Sequence, residues 1–226
     1  MLTVFLPCRK GSQRITDKNI RPFADVEDGL LSIKLRQLQS SKLVDEVVLS
    51  SNDERILDFG LKSGYSKLRL DERPEHLGAN DTSTDDVIKY VPSVIAEGDI
   101  MWTHVTSPFI DEKDYDEYIS TFEKKRREGY DSLMTVKKIQ TFLWNENGPT
   151  NYTRSTEKWP RTQTIDPIYE VDSGAFIASR DCYLTNGDRV GKNTFLYTQE
   201  SIKSLDIDWP DDFELAQYVW QALQNK

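Results

Sequence analysis

What this chain lacks narrows its chemistry first. It has only two cysteines, Cys8 and Cys182, far apart and with no CxxC or Cys/His cluster around them. That excludes a disulfide framework and a structural zinc site, and points to the cytoplasm as the compartment. Cys8 follows the first apolar run, where a free thiol is either a nucleophile or a small packing residue. Two histidines, His76 and His104, give little basis for a Ser-His or Cys-His triad, and no GxSxG elbow is present. No GxG occurs, so the dinucleotide fingerprint is missing. The segment "GDRVGKNT" (187–194) approximates a Walker loop, but its glycines are one residue too close and Asn193 replaces the hydroxyl residue. No apolar run approaches the ~18 residues that span a bilayer. The start "MLTVFLPCRK" has no basic stretch ahead of its apolar run and reads as a strand, not a secretory signal. With 38 Asp+Glu against 29 Lys+Arg the net charge is −9, which argues against nonspecific binding of nucleic acid or anionic membrane.

In this acidic chain, "LPCRKGSQRITDKNIRPF" (6–23) concentrates Arg9, Lys10, Arg14, Lys18 and Arg21 against Asp17 alone. Gly11 and Ser12 would let backbone N–H groups approach a phosphate, and the cations would neutralise a polyanion. The alternative is a set of solvated surface charges.

Strand and helix patterns alternate through residue 138. Strands are expected at 2–7, 45–51, 67–70, 99–108 and 130–138, and helices at 30–40, 53–64, 82–96 and 111–129. Pro92 should kink or end the third helix. This alternation implies an α/β fold, a mostly parallel sheet with helices on both faces, with ligands at the carboxyl ends of the strands. The rhythm breaks at 139–170, rich in Trp, Pro, Gly and Asn, which reads as an inserted subdomain or dimerisation arm within a single domain of residues 1–226. Strands are expected again at 173–179, 193–198 and 201–208. A final helix at 210–224 should open on Pro210.

On a strand, Asp206 and Asp208 of "LDIDWPDDF" would face the same side and could share a divalent cation. Alternatively, Asp208 caps the following helix. "THVTSP" (103–108) ends the fourth strand in hydroxyls that could meet a ligand or simply form a turn. Arg73 and His76 follow the third strand.

In their order along nearly the whole chain, these segments resemble the acylneuraminate cytidylyltransferases, the CMP-sialic acid synthetases and relatives. "PCRKGSQRITDKNIRPF" is similar to that family's Ala-Arg-x-Gly-Ser-Lys-x-Ile-x-x-Lys-Asn loop. "RPEHLGANDTST", "HVTSPF", "WPRTQTIDPIYEVDSGAFI" and "LDIDWPDDFELA" are similar to its later motifs. The resemblance implies a three-layer, Rossmann-like nucleotidyltransferase that works as a homodimer. It implies transfer of CMP from CTP to an acidic nine-carbon keto-sugar, with release of pyrophosphate and magnesium or manganese as the ion. On the matching positions, Cys8, Arg9, Gly11, Ser12, Gln13, Lys18, Asn19, Arg73 and Thr84 would surround CTP. Asp206 and Asp208 would hold the metal and, with Arg9 and Lys18, act in catalysis. His104, Thr106, Ser107, Arg161, Gln163 and Tyr169 would surround the sugar. Arg161 could pair with the sugar's carboxylate or form a surface salt bridge. Three positions depart from the pattern: Gln13 stands for lysine, His104 for glutamine, and Asp172-Ser173-Gly174 for Asn-Gly. A ketodeoxyoctonate-type acceptor, or a non-catalytic nucleotide-binding relative, is the alternative.

Overall fold

A computed structural model describes residues 1–224. Its first half alternates as β1 (Leu2–Pro7), α1 (Gly29–Ser40), β2 (Glu46–Ser51), α2 (Glu54–Ser63), β3 (Leu68–Glu72), α3 (Thr84–Val94), β4 (Asp99–Trp102), α4 (Glu112–Arg127) and β5 (Ser132–Ile139). Then come the two-residue strands β6 (Trp144–Asn145) and β7 (Gly148–Pro149), followed by β8 (Ile168–Ser179), α5 (Arg180–Asn186), β9 (Thr194–Thr198) and α6 (Pro210–Gln224).

Seven strands form one sheet in the order β3-β2-β1-β4-β8-β5-β9. All neighbours are parallel except β8, which runs antiparallel to both β4 and β5. β1 is therefore flanked by β2 on one side and β4 on the other, so the chain reverses its direction of travel across the sheet there. That is the topological switch point at which a crevice opens beyond the strand ends.

The near-continuous apolar reading of β1 has a direct consequence. Val4 and Leu6 enter one core with Leu31, Ile119 and Phe213, while Phe5 enters a second with Val48, Val91 and Trp102. Alternate side chains of a strand point to opposite faces, so two apolar cores put helices on both faces, giving three layers. α1, α4 and α6 cover one face, and α3 and α5 the other.

Several sequence expectations need correction. The strand expected at 201–208 is not one: residues 201–204 form turns and 205–208 run extended without a ladder. β4 stops at Trp102, because the chain beyond it turns into the loop that carries the site. β8 begins at Ile168, inside the stretch read as irregular, and pairs with β5 across a bulge at Met134/Val136. α5 had no sequence expectation; Ser179 caps it and Gly187, at φ +63°, ends it. α3 ends two residues after Pro92, and Arg180 donates to the carbonyls of Pro92 (3.0 Å) and Ile95 (2.9 Å) at that frayed end.

Candidate active site

The crevice at the switch point holds a cavity of about 500 Å³. The loop after β1 supplies Arg9, Ser12, Gln13, Arg14, Lys18 and Asn19 to its wall. Asp206 and Asp208 also line it, with Trp102, His104 and Thr106 from the end of β4. Thr84 opens α3 and lines both this cavity and an adjoining one of about 430 Å³, where Arg73 joins it.

Local chemistry fixes the β1 loop. Gly11 sits at φ +69°, a conformation costly for other residues. The Lys10 N–H donates to Asn52 (2.9 Å), Arg9 donates to Asn80 (3.1 Å), and Asn19 returns to the Arg9 carbonyl (3.4 Å). Lys18 is buried and donates from Nζ to the Ile207 carbonyl at 2.6 Å, with Asp208 3.6 Å away. Burial pulls its pKa below the ordinary lysine value, and Asp208 opposes that shift. A lysine read from sequence as a phosphate contact thus also ties the first loop to the last one.

The 206–208 segment keeps its alternation although it is not a strand. The Ile207 N–H donates to the Thr106 carbonyl at 3.0 Å, and the Ile207 side chain is buried in the core. Its neighbours Asp206 and Asp208 therefore turn to the cavity. Asp212, in the first turn of α6, accepts from the N–H groups of Asp208 (3.0 Å) and Trp209 (2.7 Å). Asp208 is held by Arg14 at 3.0 Å. Asp206 has a buried Oδ1 with no hydrogen-bond partner, and burial raises its pKa to about 6.

His104 is fully committed. An indole N–H can only donate, so Trp102 Nε1 donating to Nε2 at 2.8 Å leaves the proton on Nδ1, which faces the Ser173 carbonyl at 3.0 Å. Burial depresses its pKa to about 4, so at neutral pH it is an uncharged wall and not a base.

Other expected residues lie off the cavity. Cys8 is buried in the core and its thiol is pushed up to about 12 by burial; its N–H donates to the Ser50 carbonyl (2.9 Å), so it packs and does not react. Gly11 borders a small recess shared with Ser12, Lys18 and Asn19. Ser107 is turned inward because Lys34, itself buried, donates to its carbonyl (2.8 Å) and to Tyr115 (2.5 Å). Arg161, Gln163 and Tyr169 are exposed and do not line the cavity. Five lining residues had no sequence assignment: Pro7, Trp102, Val105, Ser173 and Arg189. Arg189 lay within the rejected Walker-like stretch, and no local pattern marks it. Ser173 sits in the bulged part of β8 at φ +59°, which aims it into the cavity.

Among the described residues no group of three or more His, Cys, Asp or Glu forms a metal cluster. Two carboxylates, one with an orphaned buried oxygen, do fit a magnesium ion that takes its remaining ligands from phosphates and water.

A family model described as cytidylyltransferase matches residues 3–225. The chain is 25% identical over 229 residues to a pseudaminic acid cytidylyltransferase of Campylobacter jejuni, covering 96% of this chain and 95% of that one. It is 24% identical over 234 residues to an N-acylneuraminate cytidylyltransferase of Escherichia coli, covering 97% of this chain and 52% of that longer one. The solved structure of a CMP:2-keto-3-deoxy-manno-octonic acid synthetase complexed with CTP superposes with a TM-score of 0.67 at 14% identity, over 98% of this chain and 99% of that one. The chain belongs to the cytidylyltransferase family and is a nucleotidyltransferase.

Proposed function

We propose that the protein transfers the cytidylyl group of CTP to the anomeric hydroxyl of an acidic nine-carbon keto-sugar of the N-acylneuraminate type, releasing pyrophosphate. The observation that carries this reading is one cavity lined by Arg9, Arg14 and Lys18 together with Asp206 and Asp208, with Arg14 and Lys18 at 3.0 and 3.6 Å from Asp208. A triphosphate beside this cluster would be met by the cations of the loop and by a cation shared with the carboxylate pair.

In the reaction the anomeric oxygen attacks the α-phosphorus, the bond to pyrophosphate breaks, and the hydroxyl proton leaves to solvent. Positioning and electrostatics dominate such a displacement. Arg9 and Lys18 offset charge on the phosphates, and the 3.6 Å from Lys18 to Asp208 keeps the two loops at a fixed separation. Magnesium held by Asp206 and Asp208 would supply charge neutralisation when bound. His104 takes no part in proton transfer, because both ring nitrogens are engaged.

A homodimer formed through the 139–170 arm belongs to the same reading. Trp144 and Trp159 are 50% and 61% exposed yet stack at 6.2 Å with Arg154 over both rings. Such an ordered, exposed aromatic patch suits a partner.

The test is pyrophosphate release with magnesium across nucleotides and acidic keto-sugars. Release with CTP and an N-acylneuraminate supports the reading. Release only with a pseudaminic-type acceptor overturns the N-acylneuraminate acceptor in favour of the kind of sugar named for the Campylobacter jejuni relative. Absence of release with every pair leaves a nucleotide-binding module.

A further inference from the structure

Besides the cations of the β1 loop, one further cation lines the cavity. Arg189, in the turn between α5 and β9, reaches it beside Trp102, His104 and Ser173. Its guanidinium lies 3.8 Å from the Phe176 ring centre and 4.7 Å from that of Trp102. Nη1 is buried without a hydrogen-bond partner, and among the described residues no carboxylate forms an ion pair with Arg189. Asp188, next in sequence, acts on it only through space.

A guanidinium stays charged in a protein, and a largely buried one without a counter-charge is costly to hold. Arg180, nine residues earlier, shows the ordinary structural solution, donating to two backbone carbonyls. Arg189 has no such arrangement. Among its polar neighbours His104 is committed to Trp102 and Ser173, and the buried Tyr183 hydroxyl, itself without a hydrogen-bond partner, is uncharged and offers no counter-charge. Arg189 instead lies over the neighbouring Phe176 and Trp102 rings, which are paired on adjacent strands, and lines the cavity.

We infer that Arg189 anchors the carboxylate of the sugar acceptor and selects acids over neutral sugars. This rests on the cytidylyl-transfer reading above. In a 2-keto acid sugar the carboxylate and the anomeric hydroxyl share one carbon, so holding the carboxylate also positions the attacking oxygen. Asp206 and Asp208 repel the acceptor's carboxylate from their end of the cavity, which enforces the same orientation. A planar guanidinium can take a carboxylate bidentately. Arg161, the residue the family resemblance offered for this task, is exposed and off the cavity.

The experiment compares wild type with Arg189→Met, which keeps an unbranched stem beside the rings, and with Arg189→Lys. Steady-state rates are measured with the best keto-sugar acid of the panel and with its C1 amide, and binding of the acid is measured by calorimetry in the presence of CMP. Arg189→Met should raise the acceptor KM about 30-fold or more while the CTP KM stays within about twofold. The preference of wild type for acid over amide should collapse toward unity, and Arg189→Lys should recover part of it. An unchanged acceptor KM, or equal losses with acid and amide, overturns the assignment. If wild type transfers CMP to no acid, the functional reading falls and calorimetry still judges the anchor. Binding of N-acetylneuraminate that is lost in Arg189→Met supports it, whereas equal binding, or none to wild type, overturns it.

Discussion

Arg14 and Asp208 meet at 3.0 Å across the mouth of the cavity, 194 positions apart in sequence, with Trp209 lying 4.8 Å from the guanidinium. Both side chains are close to half exposed, 43% and 46%, so the pair contributes at most about 1 kcal/mol to stability. Its consequence is functional: Arg14 occupies the carboxylate that a magnesium ion would need. Arg14→Ala should leave the melting temperature within about 2 °C, and should lower the magnesium concentration for half-maximal turnover a few-fold. A magnesium titration of pyrophosphate release checks this, and a raised requirement would place Arg14 among the phosphate contacts instead.

Asp206 carries the cost of burial without a partner for Oδ1. In the metal-free protein its pKa of about 6 exceeds the ordinary 3.8, so the folded state holds that proton more tightly than the unfolded one. Stability is therefore lost as pH rises from about 4 through 6. In the presence of chelator, Asp206→Asn should be more stable than wild type at pH 8, by up to about 2–3 kcal/mol, and nearly equal at pH 4. Turnover with magnesium should fall at least about 100-fold. Near-normal activity would remove Asp206 from the metal site.

His104 has the opposite sign. Its folded pKa of about 4 lies below the ordinary 6.5, so the unfolded chain binds the extra proton between those values. Its contribution is complete above pH 6.5 and declines on acidification by up to about 1.4 kcal/mol per pH unit. Denaturant melts at pH 7.5 and pH 5 should show a larger loss for wild type than for His104→Gln. Because His104 is not a base, His104→Gln should keep kcat within about tenfold at pH 7.5.

The arm can be tested without touching the cavity. Trp144 and Trp159 lie on the 139–170 insertion and line neither cavity. A double change, Trp144→Ser with Trp159→Ser, should shift the sedimenting species from dimer to monomer while CTP affinity stays within about threefold. A monomeric wild type would refute the dimer.

Helix and strand positions in the first half followed from periodicity because central strands and amphipathic helices carry strong, repeated signals. β1 reads as continuous Leu-Thr-Val-Phe-Leu because both its faces are buried. α5 was not legible: it is seven residues long and buries only Cys182 and Tyr183. The start of β8 was hidden because Ile168, Tyr169 and Val171 are exposed along a stretch next to prolines and a bulge.

At the site, sequence was informative where residues cluster locally. The β1 loop and the 206/208 pair stand out by charge and spacing, and both line the cavity. The same pattern could not assign partners. Whether Lys18 meets a phosphate or the Ile207 carbonyl depends on a contact spanning 189 positions, and the commitment of His104 depends on Trp102 and on Ser173, 69 positions away.

Sequence by itself therefore determined the alternating α/β plan, the cationic loop and the paired carboxylates, because each is a local pattern of charge or hydrophobic period. Tertiary structure decided which charges face each other. It brought Arg14 onto Asp208, sealed Cys8 and Ser107 away from the cavity, and carried Arg189 to the wall where the acceptor would lie. Those outcomes depend on strand order and loop packing, which bring together residues that no sequence spacing relates.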